Sequence, residues 1–439
     1  MYGVAWFAPA IGLAYYEGEA LVAARTGAFA STTSPPLFPA VLGMFRLVSE
    51  QAQWLKLLPL LCTFGWLAMT RRLLIRMGAA SESALSIVLM TAASPTVIYL
   101  ATGLFPEPLF ALLLTTSLLA LLGERALAAG VLAGLATITL SKGAPLIVAG
   151  IIILTATRRL RSAAWFAGGA MVIAAPWLGW HLAHLPPETS RLAASDWAKL
   201  MGQNVMLLAA SPFTLLTGYA NLYPGLLTAV ALLIVVIRRR QLVPDLFCGL
   251  YCVVLLFRIE PPLHAFAPVL PLFLWVLWRV ARSGRFAMVT KVTAVLVLGP
   301  ALWFGVSRVR PVLTLGAVAS ETPPPNDWHQ MEKLFAFIRQ NSPPEAVLLA
   351  DLDPVFHLYT GRTTVHAFGP GSLEREHVNY VVLTPDRDQP ESASFHKAVA
   401  AMERGGLLEP VEVPGVFGDY RILKATPRRL PPSGAGISR

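Results

Sequence analysis

Long, almost uncharged apolar runs recur from Trp54 to Val306, separated by short polar interruptions. Spanning a hydrocarbon core of about 30 Å takes roughly 20 mostly apolar residues in a helix, because no water is present to satisfy exposed backbone groups. The runs predict ten spans, near 54–70, 83–101, 106–122, 126–140, 143–157, 163–183, 221–237, 243–257, 265–280 and 287–306. The segment from Tyr15 to Trp54 follows another pattern. It reads as two interfacial amphipathic helices joined by a turn, the first with Tyr16, Ala20 and Ala23 on one face, the second, after Pro35 and Pro36, with Leu37, Val41 and Phe45.

After Arg310 the pattern changes again. ETPPPND is a short stiff linker, and Asn326 or Asp327 is placed to cap a helix, DWHQMEKLFAFIRQ, with Trp328, Met331, Phe335 and Ile338 on one face. Short apolar runs at AVLLA, VNYVVLT and DYRILKA predict strands. The expected organisation is a multi-spanning domain over 1–310, a small α/β domain over 320–427 and a disordered tail over 428–439. Asp351, Asp353 and His357 invite a metal reading, but acidic residues closing a strand-end turn account for them more simply.

Composition agrees: 55% of the 439 residues are hydrophobic and 14% charged, with a mean hydropathy of +0.59, which excludes an ordinary soluble globular protein. The net charge of +10 is mostly orientation signal, because Lys and Arg accumulate in short cytoplasmic loops. They fall in alternate loops: Arg71, Arg72 and Arg76, then Arg125, then Arg158, Arg159 and Arg161, then Arg238 to Arg240, then Arg279 to Lys291. With those inside, everything after 307 lies outside, and nucleic acid is not needed as a partner. By the same parity, residues 15–53 lie outside and call for an earlier crossing. Gly3–Ala14 is too short to supply it: either this helix is re-entrant or the start at Met1 is late, and a lost or misassigned first helix is the favoured expectation.

Every polar outlier near the membrane boundary then falls on the outer face: Glu17 and Glu19, Glu107 between two prolines in LFPEPLF, Lys142 in a turn, and Arg258, Glu260 and His264 in a loop. Ionisable residues at membrane depth call for a functional account. Glu107 also has a plainer one, since an acid in a first helical turn favours the positive end of the helix dipole. Acids, cations and apolar walls together suit a lipid-linked anionic substrate, the cations holding a phosphate and an acid deprotonating a hydroxyl. Cys62, Cys248 and Cys252 sit within spans and read as packing residues; Gly130 and Gly134 form a small-xxx-small pair for close helix approach. No metal or cofactor is expected.

The strings YYEGEALVAARTG, SPPLFPAVL, GLFPEPLFALLL, LAGLATITLSKGAPLIVAG, APW, HAFAPVLPL and HLYTGR, in this order, resemble the GT-C membrane glycosyltransferases, the group of protein O-mannosyltransferases and lipid A aminoarabinose transferases. The resemblance implies a polytopic α-helical membrane protein of about 10–11 spans with a small extracytoplasmic α/β domain, in the plasma (inner) membrane. It implies inverting transfer of a sugar from a polyprenyl-phosphate-linked donor to a lipid, glycan or protein acceptor at the outer face. Glu107 then carries the acid of the family's second outer motif, Lys142 its basic KG position on the donor phosphate, and Tyr16 its first-loop tyrosine. His264 stands where relatives have an Arg, which makes its phosphate contact pH-dependent, with Arg258 nearby. The family's first-loop Asp, one turn before that tyrosine, is absent from AIGLAYY, and Glu17 or Glu19 is the available substitute. Two other readings stay open: a relative that binds lipid-linked sugar without transferring it, and a lipid or solute transporter, for which no inverted repeat is evident.

Overall fold

The structure, a computed structural model, describes residues 35–46, 52–183, 201, 204–205, 246–252, 266–281, 328–350, 353–365, 377–384, 390–414 and 420–426. These fall into two compact units, residues 35–281 and residues 328–426.

The first unit is helical. Its elements are α1 (Leu37–Arg46), α2 (Ala52–Leu55), α3 (Leu57–Arg76), α4 (Ser81–Ala92), α5 (Pro95–Thr102), α6 (Glu107–Leu122), α7 (Ala126–Thr137), a 3₁₀ turn at Ser141–Gly143, α8 (Ala144–Ala156), α9 (Leu160–Ala183), a second 3₁₀ turn at Ala267–Val269, and α10 (Leu270–Ala281). Two described helices, at Leu57–Arg76 and Leu160–His181, are long and apolar enough to cross a membrane, and α4 with α5 makes a third if counted as one bent span. The others are shorter: the 16 residues of α6 rise only about 24 Å. Large apolar side chains face outward, Leu61 at 58% and Val172 at 75% exposure among them, as a lipid solvent allows. Threonine hydroxyls are turned back onto the helices, Thr63 donating to the Pro59 carbonyl at 2.8 Å and Thr137 to that of Ala133 at 2.9 Å. This is a polytopic membrane fold.

One expectation changes. The run at 83–101 is not one straight helix: α4 and α5 bend by 68°. Ser94 caps α5, its Oγ accepting from the Val97 amide, and Pro95 at the first helical position has no N–H to continue α4. In α1 Leu37, Val41 and Phe45, four residues apart, share a half-buried face, and Phe38, Pro39 and Leu42 are buried. The Leu37 amide donates to the Ile138 carbonyl at 3.0 Å, so α1 docks on the end of α7 and its inward face is set by that neighbour. The first interfacial helix, the spans at 221–237 and 287–306 and most of 243–257 lie outside the described residues.

Helix α6 lies between α3 and α7, and α7 packs along α9. The α7–α9 seam explains the glycine pair: a methyl on Gly130 would overlap the Phe166 carbonyl, and one on Gly134 would come within 2.7 Å of the Ala170 carbonyl. The predicted small-xxx-small contact therefore has its partner in α9. In lipid, where apolar burial gives helices no reason to associate, such close backbone packing is a main source of attraction. Ser117 of α6 adds a hydrogen bond across to the Ala129 carbonyl at 2.7 Å.

The second unit is an α/β layer: α11 (Trp328–Asn341), β1 (Val347–Ala350), α12 (Asp353–Thr360), β2 (Thr363–Val365), β3 (Tyr380–Leu383), α13 (Pro390–Arg404), β4 (Leu408–Val411) and β5 (Arg421–Ala425). The sheet order is β2-β1-β3-β5-β4, with β1 parallel to β2 and β3, and β5 antiparallel to β3 and β4. Met331, Leu334, Phe335 and Ile338 of α11 are buried, the face its periodicity predicts. Asp353 begins α12, and His357 is buried, its Nδ1–H donating to the Arg362 carbonyl at 2.6 Å.

Candidate active site

Glu107 opens α6 between Pro106 and Pro108. Proline suits a first helical turn because its missing N–H is one the helix leaves unpaired there, and the positive helix end favours the acid. The dipole does not require burial, yet Glu107 is only 8% exposed. Gly103 makes the approach possible: a Cβ there would run into the ring of Phe105, which packs against Tyr99 with centroids 4.9 Å apart. The loop thus folds tightly enough to bring Glu107 beneath its neighbours.

Those neighbours enclose a small cavity of about 10 Å³, room for one water-sized group. It is lined by Thr63 and Trp66 of α3, Val97 of α5, Glu107 and Ala111 of α6, and Pro268 of the second 3₁₀ turn. Trp66, Val97 and Ala111 form a separate apolar cluster at this spot. Tyr99 and Tyr251 lie near the carboxyl of Glu107. Tyr251 is fully buried and stacks on Phe110, one turn from Glu107, at 6.3 Å. The GLFPEPLF and HAFAPVLPL strings, about 160 residues apart in sequence, therefore meet around one carboxyl group.

Lys142 occupies the first 3₁₀ turn and is only 9% exposed. Gly143 beside it admits no side chain, since a Cβ would come within 2.7 Å of the Thr137 amide nitrogen and 2.8 Å of the Ala136 carbonyl carbon. The KG turn is thereby pressed onto the end of α7, where the Leu37 amide also binds, so the SPPLFPAVL and LSKGAP strings adjoin as well. Lys142 is not among the residues lining the Glu107 cavity. Tyr16, Glu17, Glu19, Arg258 and His264 lie outside the described residues.

Sequence reasoning passed over Trp66, Thr63, Tyr99 and Tyr251. A signal existed in α3, where Thr63, Trp66 and Thr70 recur at helical spacing within an apolar run. Lys56 was passed over too: it sits fully buried just ahead of α3, though its position inside a predicted span was already anomalous. Cys248 and Cys252 pack against the main apolar cluster, and Cys62 is buried, the packing role expected of them.

No protein-family model matches this chain, and no curated protein matches it by sequence. Among solved structures it is similar to ArnT from Cupriavidus metallidurans bound to undecaprenyl phosphate, with a TM-score of 0.60 and 15% identity over 97% of both chains. The fold is that of ArnT. The apo state of the same protein gives a TM-score of 0.51 at 14% identity, over 96% of this chain and 95% of that one. The likeness, at this identity, is one of fold: an α-helical polytopic fold with a small C-terminal sheet domain.

Proposed function

We propose that this chain is a glycosyltransferase of the inner membrane that moves a sugar from a polyprenyl phosphate to a lipid, glycan or protein acceptor at the outer face, with inversion. The observation that carries the reading is a buried carboxyl group, Glu107, lining a cavity inside an ArnT fold. ArnT itself has been crystallised with undecaprenyl phosphate, and the same class of lipid is proposed as this chain's donor carrier. The C-terminal α/β unit belongs, in this reading, to the outer side.

The chemistry asks little of the protein beyond positioning and charge. The acceptor hydroxyl oxygen bonds to the anomeric carbon while the bond from that carbon to the phosphate oxygen breaks. The hydroxyl proton passes to a carboxylate, and the bonding pair leaves with the lipid phosphate. Glu107 is the proposed base, with Glu17 or Glu19 as the first-loop acid. Lys142 offsets the charge gathering on the phosphate, joined by Arg258 and His264, and Tyr16 contacts substrate. Attack from the face opposite the phosphate inverts the anomeric centre.

The test is incorporation of radiolabelled sugar from polyprenyl-phosphate donors into a membrane extract, native chain against Glu107→Gln. Incorporation lost in the variant, with the protein still folded, upholds the reading. Donor binding without transfer points instead to a non-transferring relative, and neither binding nor transfer to a transporter.

A further inference from the structure

At the ends of α3 and α6 far from Glu107, three chain segments meet on one turn, Gly123–Arg125. Arg76, the last residue of α3, lies over it, its Nη1 only 3.0 Å from where a Cβ on Gly123 would stand. Arg159, between α8 and α9, reaches the same turn, its Nη1 2.9 Å from Glu124 Oε1. Arg125 belongs to the turn itself, and Arg158 and Arg161 flank Arg159. All five arginines are exposed, and among the described residues only Arg159 has an acidic partner. Two plainer duties do not account for the gathering. Arginine can bond the last carbonyls of a helix, but here backbone amides do so: those of Gly123, Glu124 and Arg125 donate to the Leu119, Leu121 and Ala120 carbonyls, and those of Arg158 and Arg159 to Thr155 and Leu154. Orientation in a membrane requires cations in the right loops; it does not require separate loops to bring theirs onto one turn, where like charges repel.

The cluster attracts an anion, and its surroundings say what carries that anion. α3 and α9 are long and apolar enough to cross a membrane, so arginines at their ends sit at the level of lipid headgroups. On α9, Arg161, Trp165, Gly168 and Val172 recur at i, i+4, i+7 and i+11, the spacing of one helix face. All four are exposed, Trp165 at 55% and Val172 at 75%. A Cβ on Gly168 would meet nothing within 4 Å, so the face is open there. Cation, then indole, then apolar surface is also the order in which a phospholipid presents its phosphate, its interfacial backbone and its acyl chain. A free phosphate compound would use the arginines and leave the stripe bare. A zwitterionic lipid brings its own cation and gains less from them. We infer that this arginine cluster and the outward stripe of α9 form a docking surface for an anionic phospholipid, its phosphate held by guanidinium groups and an acyl chain lying along α9. Arginine suits the task, because its planar fork meets phosphate oxygens in pairs and is weakly hydrated. The inference rests on neither Glu107 nor the glycosyltransferase reading.

The test is equilibrium binding of phosphatidylglycerol and of phosphatidylcholine to the full chain in a neutral detergent, where orientation in a membrane no longer matters. Phosphatidylglycerol should bind at least about tenfold more tightly, and the preference should shrink in high salt. The double variant Arg76→Gln, Arg125→Gln should bind phosphatidylglycerol about 30-fold more weakly, bind phosphatidylcholine as before, and keep a monodisperse peak. Glycerol phosphate, which offers the same phosphate without a tail, should compete only weakly. Equal binding of the two lipids, or a double variant that binds as the native chain does, overturns the docking surface and leaves the arginines as orientation signals. Competition by glycerol phosphate at the lipid's own affinity overturns the lipid and assigns a soluble phosphate compound instead. Where the double variant does not fold, Arg125→Gln alone is read: about a fivefold loss is expected, and no loss overturns the surface.

Discussion

Helices α7 and α9 meet through glycine, whereas α3 and α6 meet through tryptophan. At the first seam the backbones approach so closely that methyl groups on Gly130 or Gly134 would strike the backbone of α9, which leaves no room between them for a ligand. At the second, Trp66 packs on Ala111 and Val97, and the one glycine in contact, Gly65, faces only the flexible end of Leu112, 3.3 Å from where a Cβ would stand. Trp66 and Ala111 of this seam line the Glu107 cavity. Both seams hold a membrane bundle together, but only the second borders the Glu107 cavity.

The sharpest way to break the contrast is Gly130→Val, which forces a branched side chain into the α9 backbone. It should cost about 3 kcal/mol, the upper end of the usual range for overpacking, and deplete folded protein, read as loss of a monodisperse peak in detergent. Glu107→Gln should do the opposite, lowering transfer by at least about 100-fold while leaving the thermal midpoint near that of the native chain. Lys142→Ala tests whether the second buried polar group serves the same reaction: transfer should fall by about 100-fold, measured by single-turnover rate with donor saturating. Gly65→Ala is the mildest. Helix propensity favours it and the contact with Leu112 opposes it, so the thermal stability should stay within about 1 kcal/mol of native. A Gly65→Ala variant as damaged as Gly130→Val would mean the two seams are equally tight.

The elements legible in sequence were those whose local chemistry leaves one choice. Pro106 and Pro108 fix the start of α6, the period of Met331, Phe335 and Ile338 fixes the inward face of α11, and the interior strands β1, β3 and β5 show as apolar runs. The two strands the patterning missed, β2 and β4, are the sheet's edges. An edge strand pairs on one side only and needs less apolar content: β2 is three residues, TTV. β4 carries Pro410, which has no N–H to give and is tolerated at an edge. The bend between α4 and α5 was also readable, since Ser94-Pro95 is a cap followed by a first-turn proline, but the surrounding hydropathy masked it.

Hydropathy and the placement of arginines by themselves determined that this chain is a bundle of membrane helices ending in a small α/β unit. They also picked out Glu107 and Lys142 as polar residues where polarity is costly. These are properties of single segments, set by the free energy of moving each from water to lipid. Which side chains share a cavity is a property of pairs of segments far apart in the chain. Only the packing of α3, α5, α6 and the Ala267–Val269 turn decided that Glu107 lines the same cavity as Trp66 and Thr63 while Lys142 is not among its lining residues. Hydropathy scores an indole as one more apolar residue; its single N–H acquires meaning only when folding takes away the water that would have satisfied it.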